Sequence, residues 1–439
     1  MHPPAPRLMR RGSSIVATGL TLIMAGPVRA QIPGVTLEEA IRLAEQVQPS
    51  VVQARGDVAT TSALLRSAKG AYLPTLAATA IGSESYGGRA RVDPTTGQIV
   101  TQNWTASGGA TISSTFDLFT GFQRRAQTRA ARANTEAAGA GLINARFTQR
   151  LTTTNQFFDG LAAAQLVTVR EASVRDSEEQ LRAAIAKLRA GTATRADTLT
   201  SRVNLGTAQV NLATAQSDLV AAQASLAQLI GRTGRVAALD DSSFYQSPVI
   251  DTTALRGEAL QQSPRVQQSL ATARAARAEV AAAKANYWPT LSLGASTGVT
   301  ATQGTNVGAI NNTRFALQLS WNIFDGFARE AQIVTQESNA DLADARALDD
   351  GRAVDAGVTT YLAQLDAART NIAITQTSVA AGEENLRVLQ ARYQQGVATI
   401  VDLFTAQTAL AQARVDAVNA RFDYLRAKAQ LEALVGHPL

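Results

Sequence analysis

The hydrophobic residues of this chain follow two different periods, which alternate along the sequence. In residues 291–302 and 315–323, apolar side chains occupy every second position, with small or polar residues between them. Residues 75–85 and 104–118 repeat this alternation, although the side chains of 75–85 are smaller. A period of two predicts β-strands with one apolar face and one polar face. We therefore predict two strand pairs, one in each half of the chain.

Each predicted strand has roughly 10 to 13 residues, which is the length that a tilted strand needs to cross a bilayer. Gly, Asn and Thr are frequent in residues 87–102 and 303–312, so these segments are predicted to be loops at the hairpin tips. The same alternation is also compatible with hairpins that are half buried in a soluble protein. Alternation alone does not separate these two interpretations.

Outside the strand pairs, the chain is predicted to be helical. No proline occurs from residue 95 to 247 or from 290 to 437. Residues 122–190 and 327–395 are therefore each predicted to form one helix of about 100 Å, a length typical of coiled-coil assemblies. A shorter helix is predicted before each strand pair. In the first half it runs from Thr36 to Ala71 with a break or kink at Pro49, and Pro264 is the matching residue of the second half.

Each long helix is predicted to end in a tight turn that leads into a second helix. The segments Leu188–Asp197 and Tyr393–Asp402 carry Gly, Ala, Thr and Asp at the same places. Glycine tolerates the left-handed conformation that ends a helix, and the Thr and Asp that follow can cap the next helix. Both segments are therefore predicted to reverse the chain.

The two halves of the chain are copies of one unit. Residues 117–231 align without a gap on residues 322–436, and the motif Tyr-x-Pro-Thr-Leu occurs at 72–76 and again at 287–291. Repetition of this kind defines the architecture of a fold. We predict a signal peptide (1–30), a first repeat (31–231), a linker (232–251) and a second repeat (252–439).

Residues 1–30 have the features of a secretory signal peptide. A basic start and a short apolar run precede Val28-Arg29-Ala30, which predicts cleavage ahead of Gln31. The apolar run is shorter than the about 20 residues that a membrane helix needs. Four of the 41 basic residues lie in this segment and none of the 35 acidic ones, which leaves 37 basic against 35 acidic residues. This near balance does not indicate nucleic-acid binding.

No combination of residues typical of catalysis occurs in the sequence. The only histidines are His2 and His437, and the chain has no cysteine, which excludes disulfides and thiolate metal sites. There is no Gly-x-Ser-x-Gly, no His-Glu-x-x-His and no phosphate-binding glycine loop. We expect no enzymatic activity, no cofactor and no metal.

The order of these elements resembles the TolC family of outer-membrane efflux proteins. The resemblance rests on Phe-x-Gly-Phe at 119–122 and 324–327, on the two Tyr-x-Pro-Thr-Leu motifs and on the turn Thr399-Ile400-Val401-Asp402. It covers nearly all of the chain after residue 30. It implies a mixed α and transmembrane β fold, in which a homotrimer forms a twelve-stranded barrel, with four strands per chain. A long α-helical coiled-coil tunnel would continue the barrel into the periplasm.

Such a protein would be the exit duct of a tripartite efflux pump or of a type I secretion system. The resemblance implies four kinds of partner: two further copies of the chain, outer-membrane lipid, a periplasmic adaptor (membrane fusion protein) and an inner-membrane pump of RND or ABC type. It implies no nucleic acid. The choice between drugs and secreted protein as cargo stays open. The alternative from another class is a periplasmic coiled-coil scaffold without a channel.

The resemblance also implies a gate at the second turn. Asp402 corresponds to an aspartate that rings the narrow tunnel entrance, whereas Thr405 occupies a position that is acidic in the best-known members. Tyr393 corresponds to a tyrosine tied to an aspartate of the neighbouring hairpin, here Asp197. Ala398 stands in place of an arginine that helps to hold the tip closed, so we expect a less tightly fastened tip.

The residues at the apex of each turn correspond to the part of the tunnel that faces the adaptor. These are Gly191 and Thr192 in the first turn and Gly396 and Val397 in the second. From the residues alone, Asp197 and Asp402 are equally well explained as helix caps, and the glycines as residues that make the turn.

Overall fold

The computed structural model of the chain describes residues 32–92, 95–245, 252–302 and 309–439. The predicted signal peptide lies outside these ranges. In chain order, the elements are β1 (Gly34–Val35), α1 (Leu37–Val47), α2 (Pro49–Gly70), β2 (Thr75–Val92), β3 (Ile99–Phe119), α3 (Gln123–Arg189), α4 (Arg195–Leu229), β4 (Ala237–Ala238), α5 (Thr252–Gln262), α6 (Pro264–Lys284), β5 (Thr290–Thr302), β6 (Ile310–Ser320), α7 (Ala328–Gln394) and α8 (Ile400–Val435).

The two long helices confirm the prediction from the proline-free runs. The helices α3 and α7 have 67 residues each, or about 100 Å at 1.5 Å per residue. Each begins after a phenylalanine in the left-handed conformation, Phe122 with φ 64° and Phe327 with φ 69°. Among the helices of the described ranges, none combines the length and apolarity needed to cross a membrane.

The opening helix of each repeat is divided in two by a proline. Pro49 is the first residue of α2 and Pro264 the first residue of α6, where a missing N–H costs no hydrogen bond. Gln48, which precedes Pro49, is extended (φ −68°, ψ 130°), as expected for a residue before proline. The chain therefore breaks at Pro49 rather than kinking. Thr36 caps α1 as predicted, because its hydroxyl accepts a hydrogen bond from the N–H of Glu39.

The opening and return helices meet end to end, halfway along the long helices. The side chain of Gln48 donates a hydrogen bond of 2.5 Å to the carbonyl of Leu229, the last residue of α4. In the second repeat, Gly436 lies against Pro264 in the same way, and a Cβ on Gly436 would come within 2.9 Å of the proline ring. Both repeats thus place the two parts of the opening helix and the return helix alongside one long helix.

The largest apolar core surrounds this meeting point. The rings of Phe157, Phe158 and Phe244 contact one another edge to face with centroids 5.6 to 6.1 Å apart, a favoured arrangement for aromatic pairs. Phe422 of α8 is fully buried beside them. The predicted linker takes part here, because β4 pairs in parallel with β1. The core therefore joins both repeats at mid-height.

At one end of the long helices, four strands form an antiparallel sheet in the order β2-β3-β5-β6. The register aligns Phe116 with Leu293 and Leu293 with Leu317, so that one face is apolar. Thr115 and Gly294, which are paired in the same register, lie on the opposite face with other small and polar residues. This is the separation of faces that the alternation predicts. Strands β2 and β6 form the two edges of the sheet.

The first hairpin is longer than the alternation predicted. Residues 87–102 were predicted to be a loop, but pairing continues to Val92 and Ile99 after a shift in register between Tyr86 and Arg89. The prediction was wrong because backbone hydrogen bonds between strands do not require alternating side chains. Strand β6 ends at Ser320, earlier than the predicted residue 323.

Candidate functional site

At the end of the molecule away from the sheet, two helical hairpins end in turns of the same geometry. In the first turn, the N–H of Thr192 donates to the carbonyl of Lys187 (2.9 Å), and Gly191 donates to Leu188 (3.0 Å). In the second, Val397 and Gly396 make the matching bonds to Arg392 and Tyr393 at 2.9 and 3.2 Å. This is the Schellman motif, which needs a left-handed residue after the helix. Gly191 (φ 75°) and Gly396 (φ 77°) provide it.

Both return helices begin with the same capping box. The carboxylate of Asp197 accepts from the N–H of Thr194 (2.9 Å), while the Thr194 hydroxyl accepts from the N–H of Asp197. Asp402 and Thr399 repeat this exchange, with an additional hydrogen bond of 2.7 Å from the Thr399 hydroxyl to the carboxylate. Capping boxes satisfy backbone donors at a helix start. The prediction that Thr and Asp cap the next helix is therefore confirmed in both turns.

The two carboxylates differ in their surroundings. Asp402 is exposed at the tip, whereas Asp197 is half-buried between the hairpins. The hydroxyl of Thr399, followed by its backbone N–H, lowers the pKa of Asp402 below the usual value of 3.8. Hydrogen bonds to the charged form of a carboxyl group favour that form. Asp402 therefore presents a stable negative charge to the solvent.

Tyr393 faces the first hairpin, but its hydroxyl does not bond to Asp197. The hydroxyl is buried and has no hydrogen-bond partner among the described residues. Burial raises the pKa of Tyr393 above its usual value, and the nearby charge of Asp197 adds to this rise. The hydrogen bond expected from the resemblance is thus absent, because the Asp197 carboxylate bonds to Thr194 instead.

Lys187 makes the contact between the hairpins that the sequence did not reveal. Its Nζ donates a hydrogen bond of 2.5 Å to the backbone carbonyl of Tyr393 and lies 3.8 Å from the centre of the tyrosine ring. A lysine in the last turn of a helix is ordinarily explained by the helix dipole. Lys187 lies in the last turn of α3. The helix dipole therefore explained it sufficiently, and nothing in the sequence indicated its contact with Tyr393.

A second contact joins the hairpins further from the tip. Arg414 of α8 bonds to Glu383 of α7 at 2.9 Å and lies 3.9 Å from Asp176 of α3. Partial burial raises the pKa of Asp176 despite the opposing charge of Arg414. Arg414 therefore connects both hairpins, and together with Lys187 it makes two charged connections across the groove between them.

The apex residues are open to solvent. Val397 is 74% exposed, and Gly191, Thr192 and Gly396 are exposed as well. The hydroxyl of Thr405, a position where the resemblance would lead one to expect a carboxylate, bonds to the Val401 carbonyl of its own helix at 2.9 Å. The turns thus offer a small apolar and polar surface together with one exposed carboxylate. No group of three His, Cys, Asp or Glu side chains in the described ranges is arranged to hold a metal ion.

Comparison with known sequences places the chain among outer-membrane proteins. The profile of the family described as "Outer membrane efflux protein" matches residues 40–232 and 255–437. Outer membrane protein TolC of Escherichia coli is 26% identical over 213 residues, which are 46% of this chain and 43% of that protein. Protein CyaE of Bordetella pertussis is 30% identical over 183 residues, or 40% of this chain and 38% of that protein. Each alignment thus spans less than half of the relative's length.

The fold matches solved outer-membrane channels along most of its length. The CmeC outer membrane channel of Campylobacter jejuni superimposes with a TM-score of 0.78 at 16% identity, covering 91% of this chain and 85% of that chain. The family profile covers both repeats, and the structural match covers nine-tenths of the chain. The chain belongs to the outer membrane efflux protein family, and its location is the bacterial outer membrane, with the helical part in the periplasm.

Proposed function

We propose that three copies of this chain form a channel-tunnel that carries substrates out of the periplasm across the outer membrane. The observation that supports this most directly is the four-stranded sheet with open edges at β2 and β6. Four strands are too few to close a barrel, and unpaired strand edges are not tolerated in a bilayer. Three copies would supply twelve strands, and pairing β6 of one copy with β2 of the next would close the ring.

The two faces of the sheet suit this arrangement. Leu317, Leu319 and Phe315 on β6 are between 66% and 76% exposed in the single chain, and they would contact lipid. The opposite face carries Ser, Thr and Asn side chains together with glycines, and it would line a water-filled lumen. The long helices would then continue the lumen into the periplasm as a tunnel about 100 Å long.

The tunnel would be a passive duct opened at its tip. In the trimer, Asp402 would form a ring of three carboxylates at the entrance, and the apex residues Gly191, Thr192, Gly396 and Val397 would contact a periplasmic adaptor. The energy for transport would come from an inner-membrane pump.

Gel migration and conductance test the proposal together. The purified protein is expected to run as a trimer on an unheated gel, to run as a monomer after boiling, and to form discrete channels in planar bilayers. A protein that stays monomeric and soluble without detergent would instead be a periplasmic scaffold, and the channel proposal would be wrong.

We expect Lys187→Met to loosen the tip of the isolated trimer. The substitution removes a charge-assisted hydrogen bond and a cation–π contact, together about 2 kcal/mol, which corresponds to a roughly 30-fold change in an equilibrium. The open probability in single-channel recordings should rise accordingly. Tyr393→Phe should change it less, because the tyrosine hydroxyl has no partner.

Arg189→Met is the matched control for this experiment. It removes the same charge two residues further along α3, where the side chain is exposed and makes no hydrogen bond or ion pair with another described residue. The control should have the open probability of the unmodified protein. If Lys187→Met also has that open probability, Lys187 does not hold the hairpins together at the tip.

A further inference from the structure

A cluster of five unpaired basic residues lies directly beneath the sheet in the first repeat. The members come from the end of α2 and the start of α3, and all are exposed: Arg66, Lys69, Arg125, Arg129 and Arg132. Among the described residues, none of the five takes part in an ion pair or a side-chain hydrogen bond. We call these five residues the basic patch. An unpaired cluster of this size indicates an external anionic partner.

Helical spacing places the three arginines of α3 on one face. At 3.6 residues per turn, Arg125, Arg129 and Arg132 lie within about 60° of one another. Two other sides of α3 are occupied. Thr128 and Thr135 bond to carbonyls of α2, while Asn134 and Asn144 bond to side chains of α6. The arginines therefore project from the side that neither neighbour covers.

The two basic residues of α2 project from the same side of this helix pair. Thr128 and Thr135 contact the carbonyls of Ala68 and Thr61, which fixes the line along which α2 and α3 meet. Because the helices run in opposite directions, Lys69 and Arg66 lie about 90° and 150° from that line, toward the arginine face of α3. Lys69 therefore adjoins the arginines of α3, and Arg66 extends the basic patch toward the far side of α2.

The side of α2 and α3 that carries the basic patch is continuous with the apolar face of the sheet. Phe119 pairs with Leu291 on that face, and its ring contacts that of Phe122 with centroids 5.6 Å apart. Phe122 also contacts Trp288 at 5.9 Å, and both rings are more than half exposed. Arg125 lies one helical turn below Phe122. These three aromatic rings therefore lie between the apolar surface of the sheet and the basic patch.

The dimensions of this arrangement place Arg125 at the edge of a bilayer and Arg129 and Arg132 just beyond it. A headgroup layer is about 5 to 8 Å thick beyond the hydrocarbon core. From Phe122, the arginines of α3 extend over about 5 to 15 Å along the helix axis. Aromatic rings favour the boundary between lipid and water, and basic residues just beyond it are attracted to anionic lipid.

The second repeat lacks the basic patch, although its backbone is the same. Glu330 and Glu337 stand at the positions of Arg125 and Arg132, and Ala281 stands at that of Arg66. Lys284, which matches Lys69, is neutralised by Glu337 at 2.8 Å, and Glu330 accepts a hydrogen bond from Tyr287. The fold therefore does not require the basic side chains, so their presence in the first repeat needs another explanation.

We infer that the basic patch binds the headgroups of anionic phospholipids in the periplasmic leaflet of the outer membrane. Arginine side chains form paired hydrogen bonds with phosphate oxygens, and five cations on one surface favour a lipid with net negative charge over a zwitterionic one. In a trimer, three such patches would alternate with the three matching surfaces of the second repeat, which carry two acidic residues and one basic residue. The inference depends on insertion of the sheet in the bilayer and not on the gate at the tip.

Fluorescence quenching by brominated lipids tests this inference with the intact protein in vesicles. The tryptophans of the chain, including Trp288, report which lipid is nearby. Brominated phosphatidylglycerol is compared with brominated phosphatidylcholine at low salt. Each basic residue near an anionic surface contributes about a fivefold preference. We expect the unmodified protein to prefer phosphatidylglycerol at least fivefold, and raising the salt to about 0.5 M should reduce the preference because charges are screened.

The variant R125Q/R129Q/R132Q should lose most of this preference. Its matched control is R175Q/R182Q/R189Q, which removes the same charge from exposed positions about 75 to 95 Å further along α3. The control should keep the preference. Quenching by brominated phosphatidylcholine shows separately whether the sheet is inserted, so failure of the channel proposal would be recognised as such.

Two results from the variants would overturn the inference. The first is an unchanged preference in R125Q/R129Q/R132Q, and the second is an equal loss of preference in the control. If the trimer of R125Q/R129Q/R132Q dissociates while its lipid preference is unchanged, the basic patch contacts a second copy of the chain. If the variant does not fold, the salt dependence still tests the inference, because it is measured on the unmodified protein. A preference for phosphatidylglycerol that does not fall at about 0.5 M salt would contradict the inference.

Discussion

Replacing Asp402 by asparagine is expected to weaken the block of the channel by trivalent cations added from the periplasmic side at least about tenfold. The carboxylate is exposed at the tip, and hydrogen bonds from Thr399 keep it ionised. A pair of unit charges 4 Å apart contributes about 1 kcal/mol even in water. When the substitution removes all three carboxylates of the trimer, the binding free energy of a trivalent ion should therefore weaken by more than 1.4 kcal/mol, which corresponds to a factor of ten in affinity. Block is measured in single-channel recordings.

Asp197→Asn is the matched control for Asp402→Asn. Both aspartates cap a return helix through the same exchange with a threonine, so both substitutions disturb a helix start in the same way. Only Asp402 is fully open to solvent at the apex. If the two variants lose block equally, the effect comes from helix capping, and Asp402 is not an aperture residue.

The pH dependence of the block provides a second check on Asp402. The pKa in the folded protein is lower than the usual 3.8, so the charge and its contribution to the helix start are present at neutral pH. Both should be lost only as the pH falls through the lowered pKa. Block at pH 5 should therefore equal block at pH 7. A loss of block between these two values would mean that another group binds the cation.

Gly121→Ala is expected to abolish assembly of the folded trimer. Gly121 has φ 59°, and a Cβ there would lie 2.3 Å from Cβ of Trp288 and 3.2 Å from the carbonyl of Ala285. The left-handed backbone costs an alanine about 1 to 2 kcal/mol. The clash adds to this, because neither Trp288 Cβ nor the Ala285 backbone can move without displacing the start of β5. The yield of heat-modifiable trimer measures the effect.

Gly326→Ala is the natural comparison, because Gly326 occupies the same position in the second repeat. Its φ is 70°, but a Cβ there would meet nothing within 4 Å. The substitution should cost only the backbone strain and should leave the trimer intact, with a lower melting temperature. Equal yields of trimer from the two variants would show that the clash between the new Cβ at position 121 and Trp288 does not prevent folding and assembly.

The helices of this protein were predictable because their signals are local. The predicted helices 122–190 and 327–395 match α3 and α7 to within one residue at each end, and Pro49 and Pro264 marked the breaks. Glycine and the Thr–Asp pairs gave the turns together with their caps, since these contacts span only a few residues. Strand ends were less predictable. The first hairpin continues to Val92 and Ile99, where pairing with a neighbouring strand decides the conformation.

Contacts between the hairpins were not predictable in the same way. Lys187 and Tyr393 are separated by 206 positions. The residues next to each of them in the sequence do not indicate that the two side chains come into contact. The resemblance to a known family suggested a bond between Tyr393 and Asp197. In the fold, the capping box engages Asp197, and Lys187 contacts Tyr393 instead. Sequence motifs therefore located the tip, but they did not identify its contacts.

By itself, the sequence determined the repeated unit, the two-faced strands, the long helices and the two capped turns. All of these follow from residue periods and from interactions over a few positions. Only the tertiary structure decided how the two copies differ. It showed that Asp402 is exposed while Asp197 is half-buried, that Lys187 connects the hairpins, and that basic residues beneath one strand pair stay unpaired. The physical reason is that exposure and ion pairing depend on which helix packs against which, and this is set by contacts between residues far apart in the chain.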